Sequence, residues 1–140
     1  MPENGYLIKI QMVKRINISS GSDWEKKVGY SRAVKINNLI EVSGTTATKD
    51  GAIMGINDPY LQTRFILEKI ADVLYDLGSD MKNVIRTRMY VIDINHWEEI
   101  GKAHAEFFKD IRPAATMVEV KSLIHPDLLV EIELTAIVNE

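Results

Sequence analysis

The sequence predicts an α+β domain: a β-sheet with two helices packed on one face. Three observations predict it. Two stretches carry apolar residues at helical spacing and stand between runs of strand-like alternation, giving the order β-β-β-α-β-α-β-β. The 140 residues suit one domain and are short for two, so residues 1–140 read as a single domain. The composition is that of a globular chain, 46% hydrophobic and 26% charged.

The elements follow in chain order. Residues Ile8 to Ile18 alternate loosely and are rich in Ile, Val and Met, and their later part reads as a strand. Asn17–Gly21 reads as a turn and Ser19–Asp23 as loop-like. Ala33–Ile36 reads as a strand. Asn37-Asn38 makes a hairpin turn, because Asn tolerates positive φ, and Leu39–Ser43 is the partner strand. Asp50-Gly51 is a second turn signal. Asp58 is a good helix cap and Pro59 fits a first helical position. Leu61, Phe65, Ile70, Val73, Leu74 and Leu77 then recur at helical spacing up to Gly78, a C-terminal cap. Val84 to Ile92 reads as a strand with Ile85, Thr87, Met89 and Val91 on one face and Arg86, Arg88 and Tyr90 on the other. Asn95 with Glu98 three residues on opens a second helix to about Phe108, its stripe formed by Trp97, Ile100, His104 and Phe108. Pro113 ends the connection. Thr116–Val120 and Leu129–Val138 are the last strands, joined by His125-Pro126-Asp127. Such a sheet leaves its other face partly apolar, with Tyr90, Met117 and alternate residues of the last strands. A self-associating barrel of several subunits covers that face and forms pockets at its junctions.

Composition excludes several function classes. There is no Cys, hence no disulfide, thiolate zinc site or thiol nucleophile. The net charge of −3 argues against a broad basic face for nucleic acid. No apolar run approaches the roughly 18 residues of a membrane span. Met1–Ile10 lacks the pattern of a signal peptide, so the expected compartment is the cytosol. GxGxxG, Walker, GxSxG and HExxH motifs are missing.

The candidate residues each have a plain reading beside a chemical one. His104 reads as a packed helix residue and His125 as a loop residue. Ser43, before Gly44, has no visible base and reads as a strand-end hydroxyl bonded to backbone. Glu131 and Glu133 share a strand face; solvated alternation explains such a pair, and a carboxylate held in an apolar strand can also position a water. Arg86 and Arg88 share a face that reads as solvent-exposed. The residues alone lead to a soluble, oligomeric α+β domain with an interface pocket.

Several stretches in order carry a further signal: Gly29-Tyr30-Ser31-Arg32-Ala33-Val34, Leu39-Ile40-Glu41-Val42-Ser43-Gly44, the Asp58–Gly78 segment with Gln62-Thr63-Arg64, Val84–Asp93, Phe107-Phe108, the Arg112–Val120 run and Val130-Glu131-Ile132-Glu133. Together the chain resembles the reactive intermediate deaminase (Rid, YjgF-like) family. The resemblance implies the chorismate-mutase-like fold and a homotrimer with a small-molecule pocket at each subunit interface. It implies hydrolysis of reactive enamines and imines to keto acids and ammonia, with no metal or cofactor. It implies pocket roles for Tyr30, Ser43, Gly44 and Glu131, the last orienting water. Active deaminases carry an Arg after Pro-Ala to clamp the substrate carboxylate; here Ala115 follows Pro113-Ala114, and Met117 lies two residues on. The chain thus resembles an Arg-lacking branch. Standard 2-imino acid activity is expected to be weak, and the expected substrate lacks the clamped carboxylate. Arg88, on another strand, is a candidate replacement cation, and Arg112 lies off the right register. The alternative is a non-catalytic metabolite-binding module using the same pocket. A nucleic-acid role, also attached to the family by name, is disfavoured by the acidic charge, and no membrane partner is expected.

Overall fold

Strand-forming and helix-forming stretches alternate as the pattern predicts, with two additions. The computed structural model describes residues 13–139, so the first part of the Ile8–Ile18 reading and the Met1–Ile10 reading lie outside the described residues. The strands are β1 (Arg15–Ile18), β2 (Ala33–Ile36), β3 (Leu39–Thr45), β4 (Thr48–Lys49), β5 (Ala52–Ile53), β6 (Val84–Val91), β7 (Ala114–Glu119) and β8 (Val130–Ile137). The helices are α1 (Asp23–Val28), α2 (Pro59–Asp76) and α3 (Trp97–Phe108). The main sheet runs β1-β2-β3-β8-β6-β7, antiparallel except for the parallel β6–β7 pair, and β4–β5 is a small separate hairpin around Asp50-Gly51.

Capping chemistry sets the ends of α2. Asp58 accepts a hydrogen bond from Leu61 N at 2.9 Å, with Pro59 inside the first turn. At the other end Gly78 takes φ +76, and Ser79 N donates to the Leu74 carbonyl at 2.8 Å. That is the left-handed closure only Gly adopts without strain. The Asn95 cap is corrected: Asp93 accepts from Asn95 N at 2.9 Å, and a short 3-10 turn, Ile94–His96, leads into α3.

One apolar core lies between the two long helices and the sheet. Ile66, Ile70 and Leu74 of α2 and Ile100 and Phe108 of α3 meet Ile40, Val42, Met89, Val91, Ile132 and Leu134. Burying each of these side chains contributes about 1.5–3 kcal/mol. The α2 stripe is rotated from expectation: Leu61 is exposed, and Gln62 and Thr63 are fully buried.

Three sequence expectations about the sheet faces change. Ile85 is exposed, because a register shift between Val84 and Arg86 breaks the alternation. Met117 stands opposite Met89 and packs against the core, so it faces the helices and not the open face. The open face is also more polar than expected: Arg86, Arg88 and Tyr90 stand opposite Thr135, Glu133 and Glu131.

Candidate functional site

The site is built where β3 breaks its ladder. Val42 pairs with Leu134 and Thr45 with Ile132, so Ser43 and Gly44 together oppose a single residue of β8. Such a bulge re-aims neighbouring side chains. Ser43 Oγ donates to the Ser31 carbonyl at 2.6 Å, and Ser43 N donates to the Arg32 carbonyl at 3.0 Å. The hydroxyl therefore ties Tyr30-Ser31-Arg32 to the bulge, as the strand-end reading expects. Gly44 has a steric reason: a Cβ there would lie 3.0 Å from Glu131 Cδ and 3.2 Å from its Oε1. The missing side chain is the space in which the Glu131 carboxylate lies.

Glu131 is half-buried. Burial pushes its carboxyl above the ordinary carboxylate range; the Arg32 charge opposes that rise and Glu133 adds to it. Glu133 is engaged elsewhere, accepting a hydrogen bond from Tyr90 Oη, and that bond leads the causes that raise the Tyr90 pKa. Position along the strand does not separate the two glutamates, but their partners do. Tyr30 is 38% exposed, with the Arg32 guanidinium 5.9 Å from its ring centroid. Tyr30, Arg32, Ser43, Gly44 and Glu131 thus form one cluster. It can hold a small polar ligand against an aromatic face and offer it a carboxylate of raised proton affinity.

The other candidates lie apart within one chain. Ala115 stands opposite Thr87 and Met117 opposite Met89, on the helix side of the sheet, whereas Glu131 stands opposite Tyr90 on the open side. Arg88 lies between Glu133 and Thr116 on the open face. Arg112 lines a shallow cleft with His104 and Lys109. His104 is a packed residue: its Nε2 is 2.9 Å from Thr87 Oγ1, its ring lies tilted with its centroid 4.6 Å from that of Phe108, and burial lowers its proton affinity. His125 Nδ1 accepts from Asp127 N at 3.0 Å inside its loop.

Sequence reasoning gave no role to two residues. Arg32 is 9% exposed, and its Nη2 donates to the Gly44 carbonyl. Gln62, fully buried, donates to the carbonyls of Gly55 and Asp127 and accepts from Leu129 N at 2.8 Å, which fixes the entry to β8 two residues before Glu131. Arg32 follows Tyr30-Ser31 and Gln62 precedes Thr63-Arg64, so neither interrupts an apolar pattern, and the only signal was their place inside the matching stretches.

Comparison with known proteins gives consistent matches. A family profile described as Endoribonuclease L-PSP matches residues 22–138. The crystal structure of Rv2704 from Mycobacterium tuberculosis, described as a member of the YjgF/YER057c/UK114 family, superposes with a TM-score of 0.81 at 48% identity, covering 89% of this chain and 100% of that one. The uncharacterized protein SCO2049 of Streptomyces coelicolor is 34% identical over 119 residues, 85% of this chain and 89% of its own. The 3-aminoacrylate deaminase RutC of Acinetobacter baylyi is 33% identical over 104 residues, 74% of this chain and 82% of its own.

Proposed function

Because the chain belongs to the Endoribonuclease L-PSP family, also called Rid or YjgF, we propose that it hydrolyses a small reactive imine or enamine, or a related polarised C=N or C=O compound. The reaction takes place in a pocket between subunits of a homotrimer. The observation that carries this reading is the half-buried Glu131 carboxylate in the space left by Gly44, beside Tyr30. Tyr30 orients the substrate. Glu131 accepts a proton from water as the water oxygen bonds to the C=N carbon, and the nitrogen takes the electron pair. The proton passes to nitrogen and leaves a carbinolamine; its hydroxyl proton then moves by way of Glu131 to the same nitrogen, the C=O bond forms as the C–N bond breaks, and ammonia and a carbonyl product leave. A carboxylate of raised proton affinity is the better base for that step.

The separation of Ala115 and Met117 from Glu131 across the sheet supports a pocket completed by a second copy. The deaminase named among the relatives supports the reaction class. The test is Glu131→Gln, which keeps shape and removes the base. Turnover of an accepted imine is expected to fall about 10²-fold or more with fold and assembly intact, whereas Glu133→Gln changes it little. A Glu131→Gln protein that loses its assembly yet keeps full activity per intact assembly makes Glu131 an interface residue and overturns the assignment.

A further inference from the structure

Arg32 has no part in the mechanism above, yet it is the most costly side chain of the cluster to bury. A guanidinium carries five N–H donors and keeps its charge throughout the accessible pH range. Nη2 donates to the Gly44 carbonyl at 2.5 Å. Nε is closed off from solvent and has no partner among the described residues. Three charged groups around it sense its field: Glu131 and Glu25, whose proton affinities it lowers, and Lys69, whose proton affinity it also lowers. Among the described residues no carboxylate comes into salt-bridge contact with it. A buried cation with no carboxylate in contact is an unfavourable arrangement unless a ligand supplies the counter-charge.

We propose that Arg32 is the cation that recognises the carboxylate of this pocket's ligand. The proposal rests on the reading of Tyr30, Ser43, Gly44 and Glu131 as the pocket. Arg32 reaches the bulge from the segment entering β2, on the Glu131 side, whereas residue 115 lies on the far side of the sheet. The ligand's acidic end therefore lies beside Glu131, next to the carbon that water attacks, and the ligand class is a small monocarboxylate bound in that orientation. Neutral carbonyl compounds of the same shape bind less well.

Propanoate and its uncharged counterpart propanamide serve as probes, each titrated into the full-length protein and followed by ligand-observed NMR. The wild type is expected to prefer propanoate, and Arg32→Gln to lower that preference by about tenfold to a hundredfold, the worth of a charge-assisted hydrogen bond. Propanamide binding should stay unchanged, which a merely structural role for Arg32 would not give. Equal affinity of the wild type for the two probes overturns the proposal, as does an undiminished preference in a folded Arg32→Gln protein. Should Arg32→Gln fail to fold, the Arg32 guanidinium Nη–H resonances of the wild type decide. A shift with propanoate and none with propanamide supports the assignment, and unmoved resonances sink it. These readouts need no turnover. An Arg32-dependent preference in a protein that hydrolyses no imine would leave the recognition standing and remove the catalytic reading alone.

Discussion

Gly44 is the residue on which the site's geometry turns. Placing a methyl group 3.0–3.3 Å from the Glu131 side chain forces the carboxylate aside. Gly44→Ala is therefore expected to cut turnover of any accepted imine by up to about 10²-fold, the scale of an ångström of misplacement, with little change in melting temperature. Ala115 makes the complementary case. Ala115→Arg should raise hydrolysis of imines derived from serine or threonine, measured as ammonia release, if a second copy brings residue 115 to the pocket. No gain would place residue 115 outside it. Glu131 also has a thermodynamic signature. Its folded proton affinity is raised, so the folded state binds more protons than the unfolded one around and above the usual carboxylate range, and stability falls as pH rises there. Glu131→Gln should melt higher than the wild type at neutral pH, and that difference should close in acid. At this scale the sequence was informative where a residue's role shows in its type and neighbours, as for the backbone-bonded hydroxyl of Ser43; Glu131 was set apart from Glu133 by the family resemblance alone. The sequence was silent on Arg32, because a burial that comes from chain segments folded over the β3 bulge leaves no mark on local periodicity.

Among elements, α1 was invisible and has a clear physical reason to be. It is six residues long, its apolar Trp24 and Val28 are exposed, and its buried anchor is a carboxylate. Ser22 accepts a bond from Trp24 N, and Glu25 accepts from Ser19 Oγ at 3.0 Å and Ser20 N at 3.1 Å. Burial tends to push the Glu25 carboxyl up, but the bonds from Ser20 and Ser19 and the Arg32 charge bring it below its ordinary range. The stability it supplies is thus present above the unfolded-state value and lost as pH falls through the folded one. Glu25→Gln should cost about 1–3 kcal/mol at pH 7 in chemical denaturation, with the gap to wild type vanishing in acid. The long elements were legible because their stripes are apolar: α2, α3, β6 and β8 lie within two residues of the expected bounds. The β4–β5 hairpin was seen only as its turn, since two-residue strands carry no period.

For the whole molecule, the decisive expectation is assembly. A homotrimer should scatter light near 48 kDa, three times 15.9 kDa, and a value near 16 kDa would leave the pocket without its second wall. The element order predicted an α+β sheet, but not that β8, behind every other strand in the chain, inserts at its centre between β3 and β6. Strand order depends on pairings between distant segments, which hydrophobic alternation does not encode. That insertion has a consequence for biosynthesis. As the chain emerges in order, β3 and β6 each present an open hydrogen-bonding edge to the cell until Val130–Ile137 arrives to join them. The nascent protein is therefore most exposed to illegitimate strand pairing just before its sheet closes, and premature termination ahead of β8 should yield an aggregating product rather than a smaller fold.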